Sequence, residues 1–521
     1  MKLKRTLALS LAGATLMGSL AACSAGAAPA EQPAQEPAAQ TLSTTTAAPA
    51  SPKYVFLFIG DGMSYPQIQS TSDYLGALND EDYWQAQPSL DDNQGAILDG
   101  PEYLNFMNFE GVGTAVTFDS NSFAPDSAST ATSIATGHKT YSGSINVDET
   151  GTVEYETIAE QLKAQKGYEI GVITSVNLNH ATPAAFYAHQ ASRNDYYDIG
   201  LELVDSGFDY FAGCGLLDPT GSEGDQTDLY QLAQEAGYTV ARTYAEADAI
   251  SADTDKAIII EENLADSDAI PYEIDRTEDM WSLADYVEKG IEVLDNDTGF
   301  FMMCEGGKID WACHANDAGS SIHDTQALAD AVQVAIDFAA EHPDETLILV
   351  TGDHETGGLT IGFAGTDYDT YLDLLENQKI SYAKFDSDYV ASYKENKTPF
   401  EDVLSDIEEL FGLKAQGAAD DKLVLTEYEM EQLRAAYEKS VNGTAASQYE
   451  QEEYVLYGTY EPLSVTITHI INNKSGISFT SYSHTGLPVA VLAEGVGAEN
   501  FSGYYDNTQI YEKMADLLNI A

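Results

Sequence analysis

The chain has 521 residues, with 85 acidic against 23 basic side chains and a formal net charge of −62. This balance excludes a nucleic-acid partner, which needs a basic footprint. Any anionic substrate must therefore find positive charge locally, against the repulsion of the whole molecule.

The N-terminal stretch stands apart from the fold. MKLKR is basic, and LALSLAGATLMGSLAAC is an apolar run ending in small residues, the pattern of an export signal over residues 1–22. It is too short and too rich in Ala and Gly for an ordinary membrane span. Leu20-Ala21-Ala22-Cys23 is similar to a bacterial lipobox, in which Cys23 takes the lipid. That predicts an exported protein, anchored outside the cytoplasmic membrane or otherwise held in the periplasm or at the cell surface. Membrane contact is expected only through this anchor. Residues 23–52, of Ala, Pro, Gln, Glu, Ser and Thr, read as a flexible tether. One large domain is expected over residues 53–521.

Within it, Tyr54–Ile59 precedes GDGM, Glu169–Thr174 precedes SVNLNHATP, Gly299–Met303 precedes CEGGKID, and Thr346–Val350 precedes TGDHETGG. Each is a short apolar run entering a polar, Gly-rich turn, as strands covered on both faces do. Helical patterns lie between them, at Tyr155–Lys166, Met280–Leu294 and Ile322–Ala340. The alternation predicts an α/β fold: a doubly wound, mostly parallel central sheet with helices on both faces. In such sheets ligands bind beyond the carboxyl ends of the strands. Asp61, His180, Glu305, Asp310 and Asp353 all fall there.

FAPDSASTATSIATG, residues 123–137, packs hydroxyls among alanines with no basic side chain until His138. If one hydroxyl is a nucleophile, its proton must go to something distant in sequence. The histidines divide by their surroundings. His138, His323 and His342 read as structural or solvated, His189 in TPAAFYAH as core packing, and His469 as part of an apolar-alternating segment, SVTITHII. His180, His314, His354 and His484 lie beside acids, glycines or hydroxyls. Asp310 and His314 stand at i and i+4, so a helix puts both on one face. Asp353 and His354 share a Gly-rich turn. Mixed carboxylate and imidazole donors suit zinc, and an oxygen set such as Asp61 with Glu305 suits magnesium. Cys214, Cys304 and Cys313 are odd in number and read as buried free thiols, with Cys304 and Cys313 flanking an acidic motif.

The motifs FIGDGM, PDSASTAT, HATPAAFYAHQASR, EGGKIDWACH, TGDHETGG and YSHTG, in this order, closely resemble those of bacterial alkaline phosphatases. The resemblance spans about Tyr54 to Gly486. It implies two zinc ions, one magnesium and a serine nucleophile, Ser127. Asp310, His314 and His484 would hold the first zinc. Asp61, Asp353 and His354 would hold the second, joined by the alkoxide of Ser127, with Asp61, Glu305 and Thr182 at the magnesium. Arg193 would clamp two phosphate oxygens. The other hydroxyls of the opening stretch, Ser129, Thr130, Thr132, Ser133 and Thr136, become close-packing residues. Phosphomonoesters are the implied substrates, phosphate scavenging the usual role, and a homodimer the family habit.

This chain departs from the enterobacterial enzymes at two positions. His180 stands where they have an aspartate, and Trp311 where they have a lysine, as in many Gram-positive members. Both would act behind the direct ligands, although an imidazole at His180 leaves the third metal open between magnesium and zinc or cobalt. The interval between His354 and His484 is long. Family analogy makes residues 363–470 an inserted subdomain near the site entrance or a subunit contact, a surface excursion being the alternative. It would hold a helix near Leu425–Lys439, with ValThrIleThr at 465–468 returning to the core as a strand. No ligand-spaced loop identifies a calcium site. A sulfatase would show Cys-x-Pro-x-Arg where Asp126-Ser127-Ala128 stands. The alternatives are a phosphodiesterase of the same superfamily and a non-catalytic phosphate- or metal-binding lipoprotein.

Overall fold

The computed structural model describes residues 51–83, 97–443 and 450–520. The signal over residues 1–22, Cys23 and nearly all of the tether lie outside the described residues. Among the described residues no helix is long and apolar enough to cross a membrane.

The strands in chain order are β1 (Tyr54–Gly60), β2 (Gly111–Val116), β3 (Glu169–Thr174), β4 (Tyr210–Gly213) and β5 (Thr239–Ala241). Next come β6 (Ala257–Ile260), β7 (Phe300–Gly306), β8 (Thr346–Gly352), β9 (Glu355–Thr356) and β10 (Thr360–Ile361). The last are β11 (Ile477–Ser478), β12 (His484–Thr485), β13 (Val489–Gly495) and β14 (Gly503–Asp506). Ten of them form one sheet in the order β14-β2-β13-β8-β1-β7-β3-β4-β6-β5. Only β13 runs antiparallel to its neighbours, β2 and β8. All four expected strands are present and central, and the sheet is the mostly parallel α/β arrangement the alternation predicts.

The side chains of β1 show why it lies in the middle. Val55, Leu57 and Ile59 enter one core with the helices Ser127–Thr136, Ile158–Lys166 and Thr508–Leu518. Tyr54, Phe56 and Phe58 enter the other, against Leu283–Leu294 and Ala318–Glu341. Period-two alternation thus feeds two apolar layers at once, and no polar residue is tolerated along the strand. The expected helices are present: two are shortened at their starts by caps, while the third begins earlier, at Ala318 after the Asp317 cap. Thr157 and Ser282 each close a capping box, with Glu160 and Asp285.

Residues 363–470 leave and return through the antiparallel pair β10–β11. They build a satellite core in which Phe385, Val403, Phe411 and Leu433 pack with Leu359 and Ile322 of the main body. One expectation fails here. Residues 465–468 are not a strand but lie inside the helix Pro462–Ser475. Pro462 opens it, Gly476 ends it in the left-handed region, and it is buried almost all round. Its hydroxyls do not need an outer polar face. Ser464, Thr466, Thr468 and Ser475 donate to carbonyls three or four residues back. A helix buried on every side carries no 3.6-residue polarity, so alternation of Val, Thr and Ile imitated a strand.

Candidate active site

Three central strands end in register. Gly60 of β1 pairs with Gly306 of β7 and with Gly352 of β8. Asp61 and Asp353 follow these ends directly, and Glu305 precedes Gly306, so three carboxylates from distant parts of the chain meet at one edge. At Gly352 a Cβ would meet the Met63 carbonyl at 1.8 Å, so only glycine lets the β1 and β8 turns nest. Gly62, at φ +70°, turns its N–H to Asp353 Oδ1 at 3.1 Å.

The helix Lys308–His314 brings Asp310 and His314 to one face, as their spacing predicts, with His314 Nε2 3.3 Å from Asp310 Oδ2. His484 joins them through the β12–β9 pair, its Nε2 3.6 Å from Asp310 Oδ1. A second cluster unites Asp61, Asp353 and His354, whose Nε2 lies 3.3 Å from Asp61 Oδ1 and 3.4 Å from Asp353 Oδ2. Each trio converges closely enough for its donor atoms to share one ion. Ser127, first residue of its helix, places Oγ 3.2 Å from His354 Nε2.

The imidazoles have fixed tautomers. His314 Nδ1 donates to the Tyr482 carbonyl at 2.6 Å and His484 Nδ1 to the Pro125 carbonyl at 2.5 Å. Thr356 Oγ1 donates to Asp310 Oδ1 at 2.5 Å, which leaves its lone pairs to accept from His354 Nδ1 at 3.3 Å. All three Nε2 atoms therefore turn inward as donors for a cation.

The electrostatics demand positive charge. Burial, then the charges of Asp353, Asp310 and Glu305, push Asp61 well above the usual carboxylate range. Burial likewise lifts Glu305 and Asp353 to about 7. Asp310 is the exception: burial opposes ionisation, yet the imidazoles, His314 foremost, hold it below the ordinary value. His314 is raised to about 9, the Asp310 charge outweighing burial, while burial lowers His354 and His484 to about 4. Asp61 Oδ1 and Glu305 Oε1 are buried without a hydrogen-bond partner. Crowded buried carboxylates, orphaned oxygens and inward imidazole lone pairs fit divalent cations at these positions.

Near the third position, Thr182 Oγ1 donates to Asp61 Oδ2 at 3.2 Å, and the Thr174 hydroxyl donates to Glu305 Oε2. His180 faces elsewhere. An arginine can only donate, so His180 Nε2 accepts from Arg193 Nη2 at 3.3 Å and its proton sits on Nδ1. Burial, then the Arg193 charge, lowers its pKa to about 3, keeping it neutral. His180 thus supports the guanidinium, and the Trp311 ring packs edge-on to it at 6.0 Å. Arg193 is also held by Asp126, Nη1 to Oδ2 at 2.9 Å. Asp126 caps the Ser127 helix through the Ser129 N–H and accepts from the Gly143 N–H.

Sequence reasoning missed some supports. Thr130, expected only to pack, donates to Asp353 Oδ2 at 3.1 Å, and Ser129 bridges Asp119 and Asp126. Ser133 and Thr136 do turn back onto their own helix. Thr356 lies inside TGDHETGG, where a hydroxyl two residues from the candidate ligand His354 is a readable signal. His189 is no plain core residue. It lies between Glu202, 3.2 Å away, and Glu160, 3.4 Å away, and their charges outweigh burial to raise it to about 10. Cys214, Cys304 and Cys313 are buried and free.

The family model described as alkaline phosphatase matches residues 52–520. Alkaline phosphatase 3 of Bacillus subtilis is 29% identical over 470 residues, covering 88% of this chain and 87% of that protein. A solved cold-active alkaline phosphatase from a psychrophilic Shewanella species is 28% identical with a TM-score of 0.68, covering 89% of this chain and 99% of that one. The Thermus thermophilus alkaline phosphatase, 22% identical with a TM-score of 0.71 over 94% of this chain and 96% of its own, supports the fold alone.

Proposed function

The chain belongs to the alkaline phosphatase family, and from that premise we propose that it hydrolyses phosphomonoesters through a phosphoserine on Ser127. The observation that carries the reading is the convergence of two donor trios on one serine hydroxyl beside a doubly supported arginine.

Asp310, His314 and His484 would hold one zinc, and Asp61, Asp353 and His354 the other. Asp61, Glu305 and Thr182 offer oxygens to magnesium. When bound, such cations supply the positive charge that makes a serine hydroxyl acidic and stabilises a departing alkoxide.

The chain's own groups do the rest. Arg193, braced by Asp126 and His180, presents its planar fork to the phosphoryl oxygens. The free N–H groups opening the Ser127–Thr136 helix favour the same anion. Ser127 Oγ attacks phosphorus in line with the ester oxygen; that P–O bond breaks and the alcohol leaves. Water then attacks the phosphoserine, releases inorganic phosphate and restores the hydroxyl. Thr130 and Thr356 hold Asp353, Asp310 and His354 in place throughout.

A phosphodiesterase or a non-catalytic binding lipoprotein is the competing reading; the presence of both Ser127 and Arg193 favours the monoesterase. Export with lipid attachment at Cys23, phosphate scavenging and a homodimer belong to the same proposal. Turnover of para-nitrophenyl phosphate against the bis-para-nitrophenyl diester, at alkaline pH with and without chelator, is the test. Monoester turnover that chelator abolishes is expected, and turnover of neither by zinc-loaded protein overturns the reading. Cys23→Ser is expected to release the activity from membranes.

A further inference from the structure

The cavity of about 340 Å3 that holds Ser127 and Arg193 is lined also by Trp311, Tyr382, Tyr460 and Asp266. None of these has a part in the hydrolysis derived above. The aromatic wall is built and held. Tyr382 meets Tyr460 edge-on at 5.7 Å and Tyr272 at 5.8 Å. Its N–H donates to the buried Asp317 at 2.9 Å, and Ser381 before it is fixed by Asp275 through N–H and hydroxyl, at 3.0 and 2.6 Å. Trp311 follows Asp310 directly and packs on His180. Tyr460 lies near enough to Asp310 for that charge, after burial, to raise its hydroxyl pKa.

One ring of this wall, Trp311, already receives an ammonium, together with the neighbouring Tyr272. Lys308, with no side-chain exposure, seats Nζ 3.9 Å from the Tyr272 ring centre and 4.7 Å from that of Trp311. The same nitrogen donates to Asp266 Oδ1 at 2.7 Å and so fixes this carboxylate, 30% exposed, on the cavity wall. Ring faces beside a carboxylate are the surroundings in which organic cations bind best. A stacked nucleobase would use the rings but gain nothing from Asp266. The charge of the molecule points the same way: at −62 it repels a phosphate ester, and a positive group on the ester reduces that cost.

We infer that this wall selects phosphomonoesters whose leaving alcohol carries an ammonium group, with Trp311, Tyr382, Tyr460 and Asp266 receiving the cation while Arg193 holds the phosphate. The inference rests on the phosphomonoesterase reading above. Hydrolysis is unchanged in balance: the ester P–O bond breaks, water gives oxygen to phosphorus and a proton to the alkoxide, and the ammonium alcohol departs.

The test compares choline phosphate with 3,3-dimethylbutyl phosphate, the same shape with carbon in place of the charged nitrogen, on the zinc-loaded full chain. About tenfold higher kcat/KM for choline phosphate is expected, with choline the stronger product inhibitor. Tyr460→Leu and Asp266→Asn should each bring the ratio towards one, and Tyr460→Phe should keep it. Equal turnover of the two esters by the unaltered protein, which also hydrolyses para-nitrophenyl phosphate, overturns the inference alone. Adenosine monophosphate exceeding both overturns it in favour of base stacking. Failure with para-nitrophenyl phosphate as well overturns the parent reading too.

Discussion

His314 Nε2 stands 3.0 Å from His484 Nε2, although 170 positions separate them in the chain. Each ring spends its Nδ1 proton on a backbone carbonyl, so the pair faces inward over Asp310 with nitrogen against nitrogen. Such an approach needs a positive charge between the rings, supplied by the proton that His314 keeps up to about pH 9 or by a metal ion that displaces it. Metal analysis should therefore find two zinc ions per chain. A strong chelator should abolish activity, and zinc should restore it. Magnesium added to stripped, zinc-reloaded protein should raise it further; no response over a wide concentration range removes magnesium from the third position.

Ser127→Ala should leave the zinc content near two, because Asp61, Asp353 and His354 remain to hold the second ion. Turnover should fall at least about a thousandfold, in line with the loss of a covalent nucleophile. Rapid-quench labelling should detect no phosphoprotein. Activity near that of the unaltered chain would move the nucleophile elsewhere.

Arg193→Lys removes the fork but keeps the charge. Its two supports, Asp126 and His180, are arranged for a planar group with two Nη atoms. A charge-assisted hydrogen bond contributes about 1.5–3 kcal/mol, so kcat/KM should drop about 10- to 100-fold. Inhibition by inorganic phosphate should weaken in step, measured as its inhibition constant.

Thr356→Val keeps the shape and deletes the hydroxyl that fixes both Asp310 and the His354 tautomer. Loss of such a support behind metal ligands costs about 10- to 100-fold in metal affinity. Competition with a chromophoric zinc chelator reads this directly, and Thr356→Ser should recover most of it.

His189 gives a pH signature of stability. Glu160 and Glu202 are the charged groups that face it, and the Tyr155 carbonyl accepts from its ring. Its folded pKa, about 10, lies above the unfolded value near 6.5. The clamp is therefore fully present below about pH 6.5 and is lost as pH rises towards 10. With partly exposed glutamates it is worth on the order of 1–3 kcal/mol. Thermal melts of His189→Gln should show lower stability near pH 6 and a gap to the parent that closes towards pH 10.

How far the sequence carried this picture depended on whether a feature was local. The four central strands were legible because both-face burial keeps their middles apolar, and their ends located Asp61, Glu305 and Asp353. Asp310 with His314 was legible as a helical spacing. The helix Pro462–Ser475 was not, since total burial erased its period and its hydroxyls satisfied themselves. The position of His180 between Arg193 and Trp311 depends on contacts no spacing encodes. Tyr382 and Tyr460 come to the cavity from residues 363–470, and their packing against Tyr272, Ala312 and Trp311 brings them there.

The antiparallel β13 has a consequence for folding. It comes far after both neighbours in the chain, yet it lies between β8 and β2 and so joins the two parts of the sheet. His484 enters just before it. A chain in which β13 has not docked thus lacks a continuous sheet and, without His484 in place, a complete first trio. Catalytic competence therefore waits on the docking of β13. Enzymatic turnover is accordingly a gauge of how many molecules have completed their folding.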